Sequence, residues 1–418
     1  MTNQHPNFLV VLSGSFETGR SSAFRLQHLI NYLVFNRKRV TCLHWLNYCD
    51  EKHASRVFGA RSLLSSPSLL VNHLKSVLLE PIRIKGQEEL TAIGVRYSIL
   101  FWVFPPLISL WVFLIFLATN RVRYDVCIAS GPWAGITGIL IKKFNGAKVF
   151  VYEDTDLWSL FYGNLYLKKI VGVMEAFCVA KADLVVSVGE LLEDLRRRQG
   201  AKRVIIIPNG VRYDLFKKAL EKRPHPPTLI YVGLLDASRA PGLVLAIKAL
   251  PRIIDKIKSI RLLILGPGPY EDDLKKLVKE LRLEDSVKLL GEVPHEDLPA
   301  FLAESDVGIA PYVPSELIKY GVSQKVVEYI AAGLPVIGTR IGETERMIEK
   351  YAVGEAIDYS VEASLTRSSR CSQIERSSTG MQKTRLKFRS SSTGIVSLRR
   401  SLKASRSYRE VCAHESVK

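Results

Sequence analysis

The feature that most constrains this chain is a rhythm: a short apolar run, a loop, a helix-length segment, then another apolar run. Residues 8–12, 40–45, 148–152, 182–188 and 204–207 carry it through the first half, and 228–232, 261–265, 287–290, 306–310, 335–338 and 355–359 through the second. Apolar runs this short, separated by helical segments, suit buried parallel strands joined by right-handed crossovers, because each helix must pack back onto the sheet it leaves. With 418 residues, 47% of them hydrophobic, the chain has material for two such cores. We therefore expect an α/β protein with Rossmann-like domains at residues 1–210 and 228–360. A hinge at 211–227 joins them, stiffened by His225-Pro226-Pro227.

The most informative stretch runs from Tyr320 to Arg340. Ser323 is a good N-cap, and residues 324–332 set Val326 and Ile330, and Val327 and Ala331, at the four-residue spacing of a buried helical face. Gly333 ends the helix, and residues 335–338 read as a short buried strand. Ahead of the helix, Gly321 and Ser323 offer open backbone N–H groups at the positive dipole end, which suits a phosphate. Lys325 lies in the first turn, where the dipole disfavours a cation, and a bound anion accounts for it. Glu328, one turn on, can reach a ribose held beside that phosphate. A surface Glu/Lys helix is the plainer alternative for these two charges taken alone.

Residues 325–337 resemble the nucleotide-sugar helix of family 4 glycosyltransferases, retaining enzymes with the two-domain GT-B fold. The resemblance covers about residues 8–359 and is strongest over 320–340. It implies two Rossmann-like domains facing a central cleft, and a nucleoside-diphosphate-sugar donor bound by the second domain. In that family two glutamates eight positions apart hold the donor, the second on the ribose and the first on the transferred sugar. Glu328 matches the second, whereas Tyr320 stands at the first, so the chain is similar to a branch lacking that glutamate. Glu316 is nearby at the wrong spacing. Ser323, Gln324 and Val326 are implied donor contacts beside Lys325.

Further candidates follow the strands. The loop after residues 8–12 contains Gly14 and Ser15, which in the family shape the sugar and acceptor sites; an ordinary turn is the alternative. Residues 153–158, Glu-Asp-Thr-Asp-Leu-Trp, bring three acids to the carboxyl edge of a strand, where α/β proteins bind ligands. Asp154 and Asp156 are the candidates to act on the transferred sugar or the acceptor, with a hydrated loop as the alternative. Asp154-Thr155-Asp156 also matches a metal-holding Asp-x-Asp, but a three-residue match is cheap. We expect no metal requirement and no permanently bound cofactor. By the same resemblance Glu175 is structural. Gly233 follows residues 228–232, and Gly266 follows 261–265, where it is expected to let the backbone approach the base. Family members carry a cation directly after the first of these glycines; this chain has Leu234 there, leaving Arg239 to meet the donor diphosphate. His295 reads as a helix cap.

Residues 99–118 are uncharged, mostly apolar and long enough to span a bilayer. A crossing there would divide one domain across the membrane, and Pro105-Pro106 breaks the run into two short pieces. We expect a helix or helical hairpin dipping into one leaflet, flanked by Arg96, Arg121 and Arg123, with a buried core helix as the alternative. The net charge of +18 does not indicate a nucleic-acid partner, because residues 363–418 alone hold 13 Lys/Arg against 3 Asp/Glu and carry no recognition motif. The remaining positive charge suits an anionic membrane surface or an anionic donor. Beyond residue 360, Ser, Arg, Thr and Lys dominate without periodicity, which predicts a disordered tail, whether natural or out of frame. Six cysteines without close pairing read as reduced thiols, and the first residues lack a basic leader, which points to the cytoplasmic face of the membrane.

The expected activity is sugar transfer from a nucleoside-diphosphate-sugar to a membrane-associated acceptor, a lipid-linked glycan, with retention of configuration. A donor-binding scaffold without turnover and a nucleotide-sugar epimerase on the same fold are the alternatives.

Overall fold

All strand pairs among the described residues are parallel, as the alternation of apolar runs and helices requires. The computed structural model describes residues 7–12, 29–30, 33, 39–46, 90–96, 105–119, 122–221 and 224–359. The chain divides into two units, Met1–Pro208 and Asn209–Lys418.

In the first unit, seven strands lie in the order β3-β2-β1-β4-β5-β6-β7. They are β1 (Asn7–Leu12), β2 (Arg39–Leu46), β3 (Leu90–Arg96), β4 (Val126–Ser130), β5 (Val149–Asp154), β6 (Leu184–Ser187) and β7 (Val204–Ile206). Helices α1 (Pro105–Thr119), α2 (Pro132–Asn145), α3 (Leu165–Lys181) and α4 (Glu190–Arg198) accompany them. The central strands are buried along most of their length, which is why they read as apolar runs without alternation. Local chemistry sets the helix ends. Pro132 opens α2, and Gly146 at φ +80° closes it in the left-handed region. The Asn164 side chain accepts from the N–H groups of Tyr166 and Leu167 at 2.9 and 3.2 Å, a cap worth about 1 kcal/mol.

The apolar stretch 99–118 is described from Pro105 onward, and there it departs from expectation. Pro105 and Pro106 begin α1 and do not interrupt it. Ile108, Ser109, Val112, Phe113 and Phe116 are buried, and Ser109 and Thr137 tie the helix to α2 by hydrogen bonds of 2.9 and 3.2 Å. One face is therefore core. The opposite face leaves Leu107, Leu110, Leu114 and Leu117 exposed by 44, 42, 50 and 37%, at the three- and four-residue spacing of a single helical stripe. Among the described residues no helix is long and apolar enough to cross a membrane.

The second unit repeats the plan with six strands in the order β10-β9-β8-β11-β12-β13. They are β8 (Thr228–Val232), β9 (Arg261–Leu265), β10 (Val287–Gly291), β11 (Val307–Ala310), β12 (Val336–Thr339) and β13 (Gly354–Ile357). Between them run α5 (Ala240–Ile254), α6 (Glu271–Glu280), α7 (Leu298–Ala303), α8 (Glu316–Tyr320), α9 (Gln324–Ala331) and α10 (Gly342–Lys350). Strand order reverses between β8 and β11, the switch point where open α/β sheets hold ligands. The expected hinge at 211–227 is not a bare linker. Tyr213–Phe216 forms a helical turn, and Phe216 and Ala219 are buried in the core of this unit with Leu298 and Leu302 of α7. Gly14, Ser15 and the basic tail from residue 360 lie outside the described residues.

Candidate functional site

The switch point sets the residues following β8 beside those following β11, and α9 starts against both. Gly233 comes directly after β8, and Tyr312 two residues after β11. Lys325, in the first turn of α9, is 7% exposed. Its Nζ lies 4.3 Å from the ring centre of Tyr231 and 4.9 Å from that of Tyr312. Both phenol rings face it, and among the described residues no carboxylate pairs with it. A buried ammonium whose neighbours are aromatic rings and hydroxyls keeps its positive charge uncompensated, and that charge favours an anion. Gly233 makes room for it: at φ +143°, a side chain there would be strained, and a Cβ would stand 2.8 Å from Lys325 Nζ.

Ser323 occupies the N-cap position of α9, as expected, but its side chain makes no capping bond. Its Oγ instead shares a 2.6 Å hydrogen bond with the Tyr312 hydroxyl. The first-turn N–H groups of Gln324, Lys325 and Val326 are thus left uncapped by the serine. The Val326 side chain is fully buried in the core, as its helical spacing predicts, so only its backbone can face a ligand. Burial alone raises the Tyr312 phenol, yet Lys325, the Ser323 hydrogen bond and Arg239 outweigh it and hold the group below its ordinary range.

Arg239 stands at the N-cap of α5 with its guanidinium on Asp236 and Ser238, and its Cζ lies 5.8 Å from the Tyr312 ring centre. It therefore reaches the ring that Lys325 also faces, with its charge shared with Asp236. Gly266 lies at φ +129°, and a Cβ there would meet the Gly233 carbonyl oxygen at 2.1 Å, so the two loops pack backbone to backbone. Tyr320 ends α8, half-buried, with Lys319 Nζ 5.4 Å from its ring centre; Glu316 is solvent-exposed and pairs with Lys319 at 3.3 Å.

Glu328 is buried one turn into α9. Its Oε1 lies 2.9 Å from His295 Nε2 and 3.4 Å from Gln324 Nε2. Gln324 also donates to the Gly210 carbonyl at 3.0 Å, and Asn209 Nδ2 donates to the Val322 carbonyl at 3.2 Å, so the first residues of the unit are tied to α9. His295 is not the expected cap: α7 starts at Leu298 with Asp297 at its N-cap.

In the first unit, Asp154 ends β5 with no exposed surface. Both its oxygens are taken by Arg196, from Nε at 2.6 Å and Nη2 at 2.8 Å. Arg196 Nη2 also donates to Glu175 at 3.1 Å, and Glu175 accepts from the N–H groups of Trp158 and Ser159 at 2.8 and 3.2 Å. This corrects the expectation for Asp154, whose carboxylate is consumed by a buried structural pair. Asp156 is half-buried, and burial, aided by the charge of Asp154, pushes its carboxyl up to about 7. Among the described residues no group of three His, Cys, Asp or Glu side chains could hold a metal. Tyr231, Tyr312, His295 and Arg196 were not legible as site residues; each acts through contacts with residues far away in sequence.

Residues 226–365, which hold all of the β8–α9 constellation, match the family model described as glycosyl transferases group 1. They form a group 1 glycosyltransferase domain. The colanic acid biosynthesis glycosyltransferase WcaL of Escherichia coli is 25% identical over 233 residues, 54% of this chain and 56% of that protein. The phosphatidyl-myo-inositol mannosyltransferase of Mycobacterium leprae is 28% identical over 173 residues, 40% of this chain and 44% of that protein. The chain thus spans about half the length of the curated relatives it matches. Among solved structures, sucrose-phosphate synthase from Thermosynechococcus elongatus superposes with a TM-score of 0.63 at 16% identity, covering 96% of this chain and 100% of that one. Anabaena Alr3699/HepE in complex with UDP gives 0.60 at 15% identity, covering 95% and 99%. These likenesses are of fold: two parallel Rossmann-like sheets, the GT-B architecture.

Proposed function

We propose that the protein transfers a sugar from a nucleoside-diphosphate-sugar to a lipid-linked glycan acceptor held at a membrane surface, with retention at the anomeric carbon. The observation that carries this reading is Lys325, a buried ammonium without a carboxylate partner among the described residues, at the open start of α9. In the reaction the bond from the anomeric carbon to the β-phosphate oxygen breaks, and the nucleoside diphosphate leaves. The acceptor oxygen takes the sugar on the same face and passes its proton to the departing β-phosphate oxygen. Lys325, Arg239 and the first-turn N–H groups stabilise the charge developing on the leaving diphosphate, which is electrostatic catalysis without a protein nucleophile. With those cations in this role, no metal and no resident cofactor is required. Glu328 accepts from the ribose hydroxyls. Tyr320 lies where relatives of this type would hold the transferred sugar with a carboxylate, so the sugar contact differs here. In the first unit Asp156 is assigned to the sugar or acceptor, since a carboxyl at about 7 exchanges its proton near neutral pH.

Relatives named for colanic acid synthesis and for phosphatidyl-myo-inositol mannosylation, and a structural neighbour solved with UDP, support a nucleotide-linked donor and a lipid or glycan acceptor. The exposed leucine stripe of α1 supports docking on a membrane, at its cytoplasmic face where nucleotide-sugars are made available. The test is incubation with UDP-, GDP- and ADP-sugars and a bacterial lipid extract in EDTA. Release of one nucleoside diphosphate that depends on the lipid, with an α-linked product from an α-linked donor, is the expected result. Release independent of lipid, or an inverted product, contradicts the reading.

A further inference from the structure

We propose that His295 is a positioning residue for the donor: it immobilises one oxygen of Glu328 and turns the other toward the ribose. The inference rests on the reading of Glu328 as the ribose ligand. Arg212 Nη2 lies 3.2 Å from His295 Nδ1, and a guanidinium can only donate, so Nδ1 is an acceptor and carries no proton. The imidazole proton is therefore on Nε2, which donates to Glu328 Oε1 at 2.9 Å. Gln324 Nε2 approaches that same oxygen at 3.4 Å. Both contacts fall on Oε1, and Oε2 receives none among the described residues. The carboxylate is thus fixed at one end with its second oxygen available as a directed acceptor.

The ring itself is held. Arg212 is anchored by Glu296 at 2.8 Å, and the Phe216 ring lies 5.3 Å from the imidazole. Arg212 and Phe216 belong to the opening residues of this unit, His295 to the turn ahead of α7 and Glu328 to α9, so three separated segments converge to set one tautomer. A histidine kept only to fill space beside Phe216 needs neither the Arg212 contact nor a bond to a buried carboxylate. Preorganising a carboxylate through an outer partner has the same logic as orienting a metal ligand through its second neighbour.

The experiment measures dissociation constants by calorimetry for UDP, GDP and ADP and for their 2′,3′-dideoxy counterparts, on the full chain and on His295→Ala, His295→Gln and Glu328→Ala. Thermal midpoints serve as folding controls. His295→Ala is expected to weaken the cognate ribonucleotide about 10-fold, as losing a hydrogen bond to a charged group implies, and to leave the dideoxynucleotide unchanged. His295→Gln, which keeps an N–H donor, recovers part of the loss. Equal weakening of both nucleotides by His295→Ala, or no weakening, overturns the proposal while Glu328→Ala still abolishes the preference for ribose. If Glu328→Ala keeps that preference, or none of the three nucleotides binds, the ribose reading of Glu328 fails and the proposal falls with it.

Discussion

Asp154 and Arg196 form a two-point ion pair, with N···O distances of 2.6 and 2.8 Å, in which neither side chain has any exposed surface. Removing one partner leaves a buried charge without compensation, at a cost of about 3–5 kcal/mol. Asp154→Ala or Arg196→Met is accordingly expected to lower the thermal midpoint of the protein by roughly 10 °C, at about 2–4 °C per kcal/mol. A variant of Asp154 that unfolds like the wild type but loses only turnover would return this residue to a catalytic role.

Asp156 behaves differently. Its carboxyl is raised to about 7, against an ordinary aspartate near 4, so between those values the folded state holds a proton that the unfolded chain has released. Stability from this group is present at low pH and is lost as pH rises from about 4 through about 7. Asp156→Asn keeps a neutral side chain at every pH. Relative to wild type it is expected to gain thermal stability at pH 8 and to match it near pH 4, which paired melting curves can read directly.

The buried ammonium of Lys325 lacks a carboxylate partner among the described residues, and such a group destabilises the empty protein. Lys325→Met keeps the length of the side chain and removes the charge. Its unliganded stability is expected to equal that of wild type or exceed it by about 1 kcal/mol, while the stabilisation conferred by nucleoside diphosphate disappears. A large drop in the unliganded midpoint would mean that the lysine is a structural member of the Tyr231–Tyr312 cluster.

How much of this was legible in the sequence varies with distance along the chain. The alternation of apolar runs and helices gave both parallel sheets, because strand and helix periods are local. The start of α9 was also legible, since Ser323, Lys325 and Glu328 lie within six residues. What fills the space around Lys325 was not. Tyr231 and Tyr312 read as a strand and a loop residue, and only the β8–β11 switch point brings them together. Asp154 read as a catalytic acid because its neutralising partner stands 42 positions later, on a helix whose exposed face is rich in Arg. Ser323 read as a capping side chain, and the competing phenol of Tyr312 redirected it. The stretch 99–118 read as membrane-seeking from hydropathy alone, which carries no information on the buried half of α1.

The exposed half of α1 gives a separate test. Leu110→Gln with Leu114→Gln changes two side chains that are 42 and 50% exposed, so stability is expected to change by less than about 1 kcal/mol. Flotation with vesicles containing anionic lipid is expected to carry the wild type and not the double variant. Equal flotation of both proteins would remove the leucine stripe from the membrane account.

Gly266 tests the backbone packing on which the site is built. Its φ of +129° and the Gly233 oxygen 2.1 Å from a would-be Cβ leave no room for alanine. Gly266→Ala is expected to destabilise the protein by about 1–3 kcal/mol in denaturant unfolding, whereas Gly210→Ala, with open space around it, is expected to be near neutral.

The most direct test of the central claim is calorimetric titration of UDP, GDP and ADP into the wild type and Lys325→Met, both in EDTA. One of the three nucleotides is predicted to bind the wild type and to lose at least about 10-fold in affinity for the variant. Equal affinity in the two proteins, or no binding of any nucleotide by folded wild type, would contradict the assignment of the α9 start as the diphosphate site.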